Sequence, residues 1–139
     1  MDDDVKLDFY PASSPNRTGV LVIPGRGYEF ISMESEGLVP ARWLNARGLD
    51  AWVLSYTVAD TSSSSIPEPV FPMSQVEALE AVSRIRASGR VDQLGVWGFS
   101  AGGHLAAVTA TDPAAVLDFV VLAYPVVSMA AGTTNDVNN

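Results

Sequence analysis

Gly98-Phe99-Ser100-Ala101-Gly102 places a serine between two glycines, each two residues away. A serine becomes a usable nucleophile when a sharp strand-to-helix turn lifts its hydroxyl clear of the chain, and Gly-x-Ser-x-Gly is the pattern of that turn. The flanking glycines leave room that side chains would fill. Ser100 is therefore the candidate nucleophile, and acyl transfer through a covalent intermediate is the chemistry it could perform. Such chemistry also needs hydrogen-bond donors for a developing oxyanion. The N–H of Ala101, at the start of a helix, offers one with the helix dipole behind it. Further donors should come from a glycine-rich stretch upstream, Pro24-Gly25-Arg26-Gly27-Tyr28. The plainer alternatives are a simple tight turn for residues 25–27 and a small residue in an ordinary strand-helix junction for Ser100.

The elements around these residues have the right order to position them. Gly19-Val20-Leu21-Val22-Ile23 is continuously apolar, as a strand covered on both faces is, and it runs straight into Pro24. Residues 5–10 alternate apolar and polar like an outer strand, and Ala51-Trp52-Val53-Leu54-Ser55-Tyr56 reads as another strand. Val39, Trp43 and Ala46 recur at helical spacing before Gly48, with Glu34 and Glu36 suited to the first turn. Ser74 and Glu77 form a capping box for a helix whose Val76, Leu79, Val82 and Ile85 share one side and which stops at Gly89. Residues 94–97 form the strand before Ser100, residues 101–111 the helix after it, and Phe119-Val120-Val121-Leu122-Ala123-Tyr124 a further buried strand. Strands alternating with amphipathic helices imply right-handed crossovers, so the expected class is α/β, doubly wound, with a mostly parallel sheet. Ligands bind beyond the carboxyl ends of such strands, which is where the loop at 24–28 and the turn at 98–102 would both lie.

The 139 residues suit one domain, with residues 1–4 and 130–139 expected to be disordered and residues 57–71 a long loop. Net charge of -8 argues against a nucleic-acid backbone or an anionic membrane as partner. No cysteine is present, which removes disulfides, thiolate metal sites and a thiol nucleophile. The lone histidine and unclustered carboxylates imply no metal or organic cofactor. The acidic start and the lack of a long apolar run lead to the expectation of a cytoplasmic protein.

Several of these stretches together resemble the α/β-hydrolase superfamily, and within it the acetyl-xylan and feruloyl-esterase-like carboxylesterases and their arylformamidase relatives. Leu21-Val22-Ile23-Pro24-Gly25-Arg26-Gly27-Tyr28 is similar to the family's strand and oxyanion loop. Pro40-Ala41-Arg42-Trp43-Leu44-Asn45-Ala46-Arg47-Gly48 is similar to its first helix, and Gly98-Phe99-Ser100-Ala101-Gly102-Gly103-His104-Leu105-Ala106 to its nucleophile turn. The resemblance implies Ser100 as nucleophile, the N–H groups of Arg26, Gly27 and Ala101 as oxyanion donors, and a small-molecule ester as substrate. Arg26 departs from the pattern, standing where the family usually has glycine.

A second departure lies downstream. The superfamily's chain order is Ser, then Asp or Glu, then His. Here the only histidine is His104, four residues after Ser100, a position that reads as structural packing under the turn. Asp112 reads as a helix stop, Asp118 as a strand entry and Asp136 as part of the tail. The expectation is thus a sheet truncated after the strand that follows the nucleophile helix, with weak or absent activity in the isolated chain. That last strand, from Phe119 to Tyr124, would be an unprotected edge inviting self-association. Three readings follow: a serine carboxylic-ester hydrolase, a noncatalytic remnant that binds through the surviving cleft, and an arylformamidase-type amide hydrolase.

Overall fold

The computed structural model of the chain describes residues 6–25, 34–56, 73–99 and 101–123. Within them five strands form one sheet: β1 (Lys6–Tyr10), β2 (Thr18–Ile23), β3 (Asp50–Ser55), β4 (Gln93–Phe99) and β5 (Phe119–Ala123). Their order is β1-β3-β2-β4-β5. β2 to β5 run parallel to their neighbours, and β1 is antiparallel to β3 at one edge. A π-helical turn at Glu34–Leu38 leads into α1 (Val39–Asn45), α2 (Met73–Ala87) precedes β4, and α3 (Ala101–Ala110) follows it. This is the α/β, mostly parallel arrangement that the sequence implies.

Alternate side chains of each strand go to opposite faces, and each face has its own core. Leu21, Ile23, Leu54, Leu94 and Val96 pack with Ala81, Val82 and Ile85 of α2 and Leu105 and Ala106 of α3. On the other face Val20, Val22, Val53 and Phe99 pack with Ala41 and Leu44 of α1. Cover on both faces explains why β2 is apolar without interruption. The sheet is therefore doubly wound, and the chain order fixes where it opens. From β2 the chain moves to β3 on one side, then returns through α2 to β4 on the other side of β2. The carboxyl ends of β2 and β4 thus flank the point where the winding reverses, the place where ligands bind in such sheets.

The opposite edge of the sheet is tied down by charge. Asp50, at the start of β3, is buried, and its carboxylate accepts hydrogen bonds from the Ala12 N–H (2.8 Å) and from Arg90 Nε (2.8 Å) and Nη2 (3.2 Å). A buried carboxylate is tolerated when it is paired in this way. The hydrogen bonds that Arg90 donates to Asp50 in turn raise the Arg90 pKa above its ordinary value. Gly48 and Gly89 follow α1 and α2 with φ of +87° and +75°, the left-handed conformation that suits a helix stop.

Four local expectations are corrected. Val39 and Trp43 are 57% and 50% exposed, and α1 instead presents Pro40, Ala41 and Leu44 to the sheet. Apolar residues lie on more than one side of this short helix, so spacing alone does not select the buried one. Val76 is likewise 61% exposed, because the inward face of α2 is made by Ser74, Ala78, Ala81, Val82 and Ile85. Ser74 is the second residue of α2 rather than its cap, and its buried hydroxyl has no hydrogen-bond partner among the described residues. Among the described residues β5 is the outermost strand on its side, the edge position that the sequence also implies, and Val120, Val121 and Leu122 are exposed, so the buried-strand reading of it does not hold. The predicted tails at 1–4 and 130–139 and the loop at 57–71 lie outside the described residues. Among the described residues no helix is long and apolar enough to cross a membrane.

Candidate active site

β2 and β4 are adjacent and in register, with Ile23 opposite Gly98. Each therefore delivers its following loop to the same edge of the sheet: Pro24 and Gly25 from β2, and the turn into α3 from β4. Ser100, Arg26 and Gly27 themselves lie outside the described residues. Gly25, Phe99 and Ala101, which adjoin them on the chain, are described. Phe99 ends β4, and Ala101 begins α3.

The two glycines of the motif have separate reasons to lack a side chain. A Cβ on Gly98 would meet the Ala106 Cβ and the Gly103 Cα at 2.7 Å, so Gly98 lets α3 fold back directly onto the strand that precedes it. A Cβ on Gly102 would overlap the carbonyl oxygens of Ile23 and Pro24. The first turn of α3 is thus seated on the end of β2 and on Pro24. The N-terminus of α3, where helix N–H groups and dipole favour negative charge, opens at this junction.

Tyr56, expected only as a strand residue, and Glu36, expected only as a first-turn acid of the helix, also meet here. The Tyr56 hydroxyl, just beyond β3, donates a 2.6 Å hydrogen bond to the Pro24 carbonyl, and both residues are buried. Glu36, in the π-helical turn, accepts a 2.8 Å hydrogen bond from the Gly25 N–H through Oε1. Neither pairing could be found from local spacing, since the partners are 32 and 11 residues apart in the chain.

The remaining candidates are placed away from this junction. His104 is half-buried within α3, one turn beyond position 100. Asp112 lies past the far end of α3, where it accepts hydrogen bonds from the Ala114 N–H (2.9 Å) and Gln75 Nε2 (3.0 Å). Asp118 stands just before β5, where it accepts the Leu94 N–H at 2.7 Å and an Arg86 contact at 3.4 Å. Both carboxylates therefore serve as turn and strand-entry residues at the edge opposite the nucleophile turn. Asp136 lies outside the described residues. Among the described residues no three His, Asp or Glu side chains converge as a metal site would require.

The geometry has counterparts among known proteins. No protein-family model matches the chain. An acetylxylan esterase of Xylanibacter ruminicola is 32% identical to it, over 93% of this chain and 27% of that protein. Among solved structures, the α/β hydrolase MGS-M1 from a Medee basin deep-sea metagenome superposes with a TM-score of 0.71 and 30% identity, covering 93% of this chain and 55% of that one. An acetyl ester-xyloside bifunctional hydrolase of Caldicellulosiruptor lactoaceticus superposes with a TM-score of 0.66 and 28% identity, covering 91% and 50%. The chain spans about a quarter of the curated relative's length and about half of each solved structure.

Proposed function

We propose that this chain, an esterase-like member of the α/β-hydrolase superfamily, carries Ser100 as the nucleophile of a carboxylic-ester hydrolase acting on small acyl esters, acetylated carbohydrate among them. The observation that supports the reading is the seating of Gly102 against the Ile23 and Pro24 carbonyls, which holds the start of α3 against the chain leaving β2. In this reading Ser100 Oγ bonds to the acyl carbon, and the N–H groups of Ala101, Arg26 and Gly27 take the charge on the carbonyl oxygen. The alcohol then leaves with a proton, and water releases the acid.

The proton transfers need a base and an orienting acid. His104 lies within α3, one helical turn in, and is given no part in these transfers. By themselves the residues present give slow acylation: loss of a triad histidine costs about 10⁶ in turnover in a well-studied serine protease, and the oxyanion hole with binding leaves ~10³ to 10⁴ over water. The exposed edge strand β5 pairs with a second copy of the chain in the same proposal, its Val120, Val121 and Leu122 having no strand beyond them among the described residues.

The test is p-nitrophenyl acetate turnover by the purified chain beside a Ser100→Ala control. Turnover above the control supports the esterase reading. Equality with it leaves the noncatalytic, binding reading, and turnover of an N-formyl arylamine in preference to the acetyl ester would favour the amide-hydrolase reading.

A further inference from the structure

The peptide group joining Pro24 to Gly25 has both its polar ends taken by side chains from other elements. Tyr56 donates to its carbonyl at 2.6 Å, and Glu36 accepts from its N–H at 2.8 Å. We infer that Tyr56 and Glu36 are a positioning pair that locks this one peptide plane and thereby aims the amides that follow it. The inference rests on the esterase reading, in which those amides receive the oxyanion.

The need for a lock follows from the residues. A peptide unit is rigid and planar, so it turns as a whole about the axis between its two Cα atoms. Glycine at position 25 leaves that rotation unhindered on one side, because its φ is not confined by a Cβ. A half-turn would exchange the N–H and C=O directions, break both bonds and take the Pro24 oxygen out of its place against Gly102 of α3. Holding one end would restrict the plane, and holding both fixes its sense. The Glu36 bond is to a carboxylate, and charge-assisted bonds are the stronger kind. The Tyr56 bond is buried, where the low local dielectric strengthens it.

A third contact joins the same group. The Pro24 carbonyl that Tyr56 holds is one of the two oxygens that leave no room for a Cβ on Gly102. The oxygen that orients the loop therefore also sets its spacing from the nucleophile helix. A consequence concerns donor identity: with its N–H committed to Glu36, Gly25 is not itself an oxyanion donor, and the proposed role falls to the amides of Arg26 and Gly27.

The experiment is solution NMR on the ¹⁵N-labelled 139-residue chain. In the wild type the Gly25 amide proton should resonate downfield, as a proton donated to a carboxylate does, and should be protected from exchange. Tyr56→Phe removes a bond only at the carbonyl end, yet it should speed Gly25 N–H exchange about tenfold while the Leu94 amide in β4 is unaffected. Glu36→Ala should do the same, with Glu36→Gln restoring most of the protection because its amide oxygen can still accept. A Gly25 amide that exchanges in the wild type at the rate of an unstructured chain would overturn the inference, a measurement that needs no variant to fold. Unchanged Gly25 exchange in a folded Tyr56→Phe chain would overturn it as well. Loss of Ser100-dependent turnover would bear on the esterase reading alone, since none of these signals requires catalysis.

Discussion

No side chain fits on Gly102, because the carbonyl oxygen of Ile23 occupies the space its Cβ would take. This single contact ties the sequence motif to the sheet: the helix that follows the serine can sit on β2 only if the second glycine of Gly-x-Ser-x-Gly is bare. Alanine there must displace backbone of the central strand or of α3, neither of which yields like the end of a flexible side chain. Gly102→Ala should therefore cost well over ~2 kcal/mol in urea denaturation, in the range of overpacked cores. Gly89→Ala, where φ is +75° and nothing lies within 4 Å, should cost only the left-handed backbone penalty of about 1–2 kcal/mol. Equal costs would mean that the contact at Gly102 relaxes freely.

Association should run through β5. Its exposed valines and leucine form an apolar edge, and beside it Trp43, Trp97, Phe119 and Val121 line a groove of about 210 Å³ on the α1 face. Sedimentation velocity at micromolar concentration should show concentration-dependent association of the wild-type chain, and Val121→Lys should reduce it by placing a charge on that edge. A monodisperse wild-type monomer would contradict the proposal.

Acid stability should depend on one exposed pair at the far edge. Arg17 grips Asp92 with Nε and Nη2, both at 2.9 Å, and this hydrogen bonding holds the Asp92 carboxyl below its ordinary pKa. A depressed carboxylate stabilises the fold at pH above its unfolded value, about 3.9, and the contribution is lost as pH falls through the folded value. The thermal midpoint of the wild type should exceed that of Asp92→Asn by a small margin at pH 7, small because both side chains are exposed. The margin should shrink on acidification below about pH 4. A margin that persists unchanged at pH 3 would contradict the assignment.

Much of this architecture could be read from the chain, and the parts that could not have definite causes. Val20 to Ile23 declared a doubly covered strand because β-branched and apolar residues fill every position. Gly98 and Gly102 marked the passage from β4 into α3 because neither position has room for a side chain. Trp43 misled, since a large apolar residue at helical spacing reads as core, whereas here it lines a groove at the uncovered side of the sheet. Ser74 misled because a serine three residues before a glutamate reads as a cap, although the helix starts one residue earlier. Glu36 and Tyr56 were invisible as loop clamps, because what they hold is a backbone group brought close only by the fold.

The central claim is that Ser100 is a nucleophile built into an oxyanion site. The most direct measurement is to expose the chain to p-nitrophenyl acetate and locate the acetyl group by tandem mass spectrometry over time. The account predicts that Ser100 is acetylated faster than Ser62, Ser63, Ser64 and Ser65, and that phenolate release falls in Ser100→Ala. Acetylation spread evenly over the serines, with release unchanged by Ser100→Ala, would contradict it.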